Sequence, residues 1–416
     1  MSGLGLLLLG GCASLPREYV ITDFGAVAGD RELATRGIQA AIDAAAQAGG
    51  GTVVVPAGVF RSGSIFLKPG VQLHVAEGAV LKGSENIADY PKRPTRIEGH
   101  VEPWRMALVN AEGLAGVRIT GPGRLDGSGP VYWRAFWQRR KENPKCTNLE
   151  VERPRLVFLD HCREVRIEGI ALQDAGFWNL HLYACRDVVL ENLRITLPSA
   201  TGGLRGPSTD GIDIDSSQRV TVRGCHISTN DDDIALKGSK GPHADRDTAS
   251  PPVEDILVEN CEIGDGNGLV TCGSEATVVR RVTVRNCTLT GRATMLTLKL
   301  RPDTPQHYAD ITLDGIRLAG EGRLLNVAPW TQFFDLQGQP PPARTVERVV
   351  LRNITGRYRA FGTLRGNTGD TLRDITLENF DVQLADETFA PGPVVNLELR
   401  NVIVNGRVVQ APVTKM

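Results

Sequence analysis

The feature that most constrains this chain is an eight-residue pattern, apolar-x-apolar-x-(Gly/Asn)-apolar-x-apolar, which returns along most of its length. It reads V-R-I-E-G-I-A-L from Val165, V-V-L-E-N-L-R-I from Val188, V-T-V-R-G-C-H-I from Val220 and I-L-V-E-N-C-E-I from Ile256. Further copies start at Val117, Val282, Ile311, Val349, Ile375 and Leu397. The fifth position is always Gly or Asn: Gly121, Gly169, Asn192, Gly224, Asn260, Asn286, Gly315, Asn353, Asn379 and Asn401. These two residues enter the left-handed backbone region most readily, so each copy is two short strands joined by a sharp bend. From Val165 onward the copies start between 22 residues (Ile375 to Leu397) and 38 residues (Ile311 to Val349) apart, one circuit of a parallel coil plus loops of variable length. The pattern therefore specifies an all-β fold, a right-handed parallel β-helix, with the hand taken from the rule for parallel crossovers. An apolar stripe at Ile38, Ala41, Ile42 and Ala45 has helical spacing and stops at Gly49-Gly50-Gly51, which predicts a short helix capping the N-terminal end. Nothing reads as a linker, so residues 19–416 form one domain.

Lys and Arg (47) nearly balance Asp and Glu (48), which argues against binding nucleic acid or a membrane surface through bulk charge. The opening M-S-G-L-G-L-L-L-L-G-G-C is too short to span a bilayer and resembles a bacterial lipoprotein leader, although no Lys or Arg precedes its apolar run. Residues 1–18 are accordingly read as leader and tether, with Cys12 as a lipid anchor and the only membrane link. The mature chain is expected to be a monomer, in a bacterial envelope (periplasm or outer-membrane lipoprotein) or secreted. Apart from Cys12 there are seven cysteines, an odd number, with no C-x-x-C or Cys/His spacing of the zinc type. Cys225, Cys261 and Cys287 fall at the same inward position of three copies and predict a buried thiol ladder.

Strand parity then locates an acidic group. In T-D-G-I-D-I-D and D-D-D-I-A-L-K, Asp210 and Asp232 each stand two residues before the first inward isoleucine. Asn267, two before Leu269, is expected at the same place on the next coil. In M-L-T-L-K-L-R, Lys299 and Arg301 turn outward beside Thr297, on the strand face of Lys237. Neighbouring coils thus present carboxylates (Asp210, Asp231, Asp232), an amide and a cationic patch. Three close carboxylates cannot all ionise comfortably, so one should stay protonated near neutral pH. A protonated acid beside ionised carboxylates suits glycoside hydrolysis, and Lys237, Lys299, Arg301 and Asn267 are candidate contacts to an anionic sugar. No metal or cofactor is required.

With D-F-G-A at Asp23, I-T-G-P-G-R-L-D-G at Ile119, F-W-N-L-H at Phe177, S-T-D-G-I-D-I-D at Ser208 and N-D-D-D-I-A-L-K at Asn230, the chain resembles the polygalacturonase family, glycoside hydrolase family 28. Ser208-Thr209-Asp210 matches the family's Asn-Thr-Asp and Asn230-Asp231-Asp232 its Gly-Asp-Asp. The resemblance implies inverting hydrolysis of galacturonic-acid-containing pectic chains, with Asp231 as general acid and Asp210 with Asp232 handling the water. It leaves Asp233 outside that set. A wall built by the proline-stiffened segment from Arg301 that closed one end of the groove would make the enzyme exo-acting. Two signatures depart: Gly-His-Gly is Gly266-Asn267-Gly268, and Arg-Ile-Lys is Thr297-Leu298-Lys299. Losing the arginine fork shifts the expected substrate toward rhamnogalacturonan or another branched fragment. It also keeps open a rhamnosidase, or a catalytically silent envelope β-helix that binds polysaccharide. His181 is expected to be structural, Trp178 and Trp104 either to stack on sugar or to pack under loops. His243, Asp245 and the segment from Arg301 are expected along the cleft.

Overall fold

The computed structural model describes residues 17–29 and 31–410; Cys12 and the leader ahead of residue 17 lie outside them. Parallel pairing links the repeat copies into one continuous column. Val165, Val188, Val220, Ile256, Val282, Ile311, Val349, Ile375 and Leu397 are register partners in succession, and the Val117 copy joins through Arg118 opposite Arg166. Every fifth-position residue has a positive φ, from 51° at Asn401 to 112° at Gly121. The bend chemistry read from the sequence is thus repeated coil after coil. The result is a right-handed parallel β-helix in a single 31-stranded sheet.

Inward residues of the coils are buried, and Cys225, Cys261 and Cys287 stack among them as free thiols. Helix α1 (Thr35–Gln47) covers the N-terminal end, with Ile38, Ala41, Ile42 and Ala45 each 0% exposed. Among the described residues no helix is long and apolar enough to cross a membrane.

Two insertions interrupt the coils where the repeat pattern lapses. Strands β1 (Lys92–Ile97) and β2 (His100–Arg105) form a separate antiparallel hairpin. Helix α2 (Gly129–Glu142) fills the long interval between the Val117 and Val165 copies, burying Tyr132, Trp133 and Phe136. The hairpin is pinned to the coils by Arg96, whose Nε and Nη2 donate to the two oxygens of buried Asp215 at 2.8 and 3.2 Å.

The functional face is a run of stacked strands: β3 (Leu180–Tyr183), β4 (Ile212–Asp215), β5 (Ile234–Lys237), β6 (Val270–Cys272), β7 (Leu296–Leu300) and β8 (Arg323–Pro329). Each pairs in parallel with the next, so outward side chains form columns at a rise of about 4.8 Å.

Candidate active site

Asp210 and Asp232 occupy the turns entering β4 and β5, and because Ile212 pairs with Ile234 they stand in line. Asn267 is displaced by one residue from the place parity assigns it. Leu236 pairs with Cys272, which aligns Gly268 with Asp232 and Asn267 with Asp231. The sequence L-V-T-C offers apolar side chains in both parities, and Val270 with Cys272 is the pair that stacks on Ile234 and Leu236, the thiol packing as a small apolar group.

That shift gives Asn267 its role. Its Nδ2 donates to Asp231 Oδ1 at 2.9 Å, while the Asp232 backbone N–H donates to the same oxygen at 3.0 Å. With Oδ1 holding two N–H donors, the proton of a neutral Asp231 belongs on Oδ2. Asp232 is held differently: Lys299 Nζ donates to Oδ2 at 2.5 Å and Thr271 Oγ1 to Oδ1 at 3.0 Å. Both oxygens are acceptors, the state of an ionised carboxylate. Asp210 Oδ2 lies 3.2 Å from Lys237 Nζ, which also sits 3.5 Å from Asp213 and 3.8 Å from Glu275.

Burial pushes the Asp210 carboxyl up to about 7 against the pull of Lys237, and the charges of Asp231 and Asp232 push the same way. Burial and the neighbouring Asp232 likewise raise Asp231. The cluster therefore keeps a proton that isolated aspartates would have lost. A carboxyl raised from 3.8 to about 7 binds more protons folded than unfolded across that window, so stability declines as pH rises through it. Denaturant midpoints at several pH values should fall for the wild type between pH 4 and 7, and fall less for Asp210→Asn. An unchanged slope in the variant would count against the assignment.

The two lysines line the cleft, but their charges are met by Asp232 and by Asp210 with Asp213, so they organise the carboxylates first. Arg301 requires a correction. It is 4% exposed, its Nε and Nη2 donate to Asp303 at 2.8 and 2.6 Å, and it does not line the cleft. A neighbouring aspartate on its own loop captures the guanidinium, which makes Arg301 a loop clamp. His243 and Asp245 sit in a short 3-10 turn away from the cleft lining, and the wall expected from the Arg301 segment is supplied by Trp330 and Gln332.

Asp233 points away, fully buried, with Thr229 Oγ1 donating to it at 3.4 Å. Gly266 packs against it so closely that a Cβ there would lie 1.9 Å from Asp233 Oδ2. His181 is also fully buried; Arg155 Nη1 donates to Nδ1 at 2.8 Å and Nε2 faces Asp215 at 3.4 Å. Burial holds its pKa down to about 3, so it is a neutral structural group. Trp104, on the second strand of the hairpin, packs against Phe177 and donates Nε1–H to the Arg153 carbonyl at 3.2 Å, whereas Trp178 reaches the cleft floor under Lys237 Nζ.

The cleft has a volume of about 520 Å³. Reasoning from the sequence overlooked Glu98, Asn148, Glu275, Trp330 and the arginines Arg292, Arg323 and Arg359, all of which line it. It also passed over Asp213, 0% exposed and 3.5 Å from Lys237 Nζ beside Asp210, although the alternation in D-G-I-D-I-D places it outward on the same strand face. One oxygen from each of Asp210, Asp231 and Asp232 lies within 4.8 Å of the others, a spacing that could hold a cation. In this arrangement the ammonium groups of Lys237 and Lys299 provide the counter-charge.

The family model for glycosyl hydrolases family 28 matches residues 48–393. The chain belongs to that family. This family 28 hydrolase is 28% identical over 359 residues to an endo-polygalacturonase of Pectobacterium carotovorum subsp. carotovorum, covering 84% of each chain. It is 29% identical over 226 residues to a probable polygalacturonase of Vitis vinifera, of whose length it spans 43%. Among solved structures, the exopolygalacturonase of Thermotoga maritima superposes with a TM-score of 0.76 at 24% identity, covering 95% of this chain and 93% of that one. The β-helix is therefore shared. Asp210, Asp231 and Asp232 stand in the stretches that carry the resemblance, with Asn267 and Thr297 where it implies a histidine and an arginine.

Proposed function

We propose that this glycoside hydrolase cleaves galacturonic-acid-containing pectic chains, acting at a chain end outside the cytoplasm. One observation carries the reading: within one acidic cluster, Asp231 is arranged to hold a proton on the oxygen its N–H donors leave free, and Asp232 is arranged to stay ionised. Asp231 then protonates the departing glycosidic oxygen. Asp232, with Asp210 beside it, orients a water and takes its proton as the bond to the anomeric carbon forms. The carboxyl oxygens approach more closely than the roughly 6.5–9.5 Å usual between acid and base in inverting enzymes, so inversion rests on the family resemblance. The anomeric form of the first product, followed by NMR, checks it.

End-directed action is supported by the wall at one end of the cleft. Glu98, at the hairpin turn, faces Asn148 in the cleft lining. The adjoining Gly99 meets the opposite side, where a Cβ would lie 3.0 Å from both Glu275 Cγ and the Gly238 carbonyl oxygen.

Incubation with defined pectic oligosaccharides should release saturated products from chain ends. Binding without any product across the panel would favour a silent polysaccharide-binding β-helix. Ultraviolet-absorbing unsaturated products would indicate a lyase instead. Because the counter-charge comes from lysines, turnover is expected to be unchanged in excess chelator; abolition by the chelator, with recovery on adding calcium, would reverse that conclusion.

A further inference from the structure

The two ends of the cleft differ in charge, and the difference bears on which sugar each can hold. At the closed end the lining groups are Glu98, Glu275, Asn148 and Trp178. The cations there are already committed. Lys237 is shared among Asp210, Asp213 and Glu275, and Lys240 Nζ lies 3.8 Å from Glu98. A sugar carboxylate entering this end would meet two carboxylates and find no free cation, an unfavourable like-charge juxtaposition. Sugar hydroxyls would instead find acceptors in those carboxylates and in the Asn148 amide.

The open end is the reverse. Arg323 follows Asp232, Gly268 and Thr294 in one column, three coil rises of about 4.8 Å beyond the acid cluster. Arg359 lies on the next coil in the column of Asp231 and Asn267. Both face the cleft, and among the described residues neither has a carboxylate within ion-pair distance. Arg359 is drawn only by the longer-range charge of Asp386, so two guanidinium forks without an ion pair remain for a carboxylate on a sugar.

We propose that the closed end takes a neutral sugar and the open end a uronate, so that the enzyme releases a neutral terminal sugar from a uronate-bearing chain. This deepens the reading of the cleft as a pectic glycosidase and rests on it. Water adds to the anomeric carbon, the glycosidic C–O bond breaks, and the Asp231 proton goes to the departing oxygen, so no further reactant is needed.

The test uses alternating rhamnose–galacturonate oligosaccharides, ending in rhamnose or in galacturonate at the non-reducing end, against an oligogalacturonate of equal length. Calorimetry on the full-chain Asp231→Asn variant should give a Kd about tenfold tighter for an alternating chain than for the oligogalacturonate. Adding Arg323→Ala and Arg359→Ala to that variant should narrow the gain that a longer alternating chain shows over a disaccharide. With the wild type the monosaccharide released should be rhamnose. Equal or tighter binding of the oligogalacturonate, no binding of either, or release of free galacturonate from either probe overturns the proposal. If the wild type releases nothing, the hydrolase reading fails while the two Kd values still decide which sugar the closed end accepts.

Discussion

Asp231→Asn is expected to lower kcat by about 10²- to 10⁴-fold, the range ordinarily lost with a general acid, while leaving the unfolding midpoint close to that of the wild type. Asparagine keeps the shape and can still accept from Asn267 Nδ2 and from the Asp232 N–H, so the turn should hold. What it lacks is a proton that can be given to the leaving oxygen. At pH high enough to ionise Asp231 the variant also relieves repulsion on Asp210 and Asp232, so any change in stability there should be toward a more stable protein. The measurement pairs steady-state kinetics with denaturant unfolding. A variant that retains wild-type kcat would remove Asp231 from the acid's role, and one that loses activity only by unfolding would leave the role to another carboxyl.

Arg96→Ala is expected to cost about 3–5 kcal/mol, because it strips the partner from a buried carboxylate and leaves the charge uncompensated. Arg96 and Asp215 side chains are each 1% exposed, and Arg96 also donates to Ser239 Oγ at 3.1 Å. Although burial opposes it, the Arg96 charge holds Asp215 well below the usual carboxylate range. A depressed carboxylate contributes stability that is present above its unfolded value and lost as pH falls through the folded one. The deficit of the variant should therefore be full at neutral pH and shrink in strong acid. The pair also anchors the hairpin whose turn closes the cleft, so products from the chain interior should appear in the variant. Combining Arg96→Met with Asp215→Leu should recover much of the stability without restoring the closed end. Full stability in Arg96→Ala would show that His181 and Ser216 suffice to hold Asp215.

Most of the fold was legible because a β-helix writes its period into the chain. Gly or Asn at each bend and apolar residues on either side specify the coil locally, and stacking needs only that successive coils match. Asp210 and Asp232 were legible for the same reason, since parity carries an outward residue from one coil to the next. Asn267 shows the limit: the stretch around Leu269 and Val270 is apolar in both parities, so the register was settled by which pair fits against Ile234 and Leu236. Arg301 shows another, since parity turned it outward but could not say that Asp303 would take its charge. The hairpin and α2 lie outside the repeat, and nothing periodic announces where they pack.

From its residues alone this protein is determined as a right-handed parallel β-helix with Asp210 and Asp232 in line on one face, because both are set by local backbone preference and a repeating register. The tertiary structure alone decided how the acid cluster is used and what reaches it. Asn267 against Asp231, Lys237 and Lys299 against the other acids, and Glu98 brought over to Asn148 and Glu275 are contacts between groups distant in sequence. Their partners are set by where loops land on the coil stack, and the strand period carries no information about that.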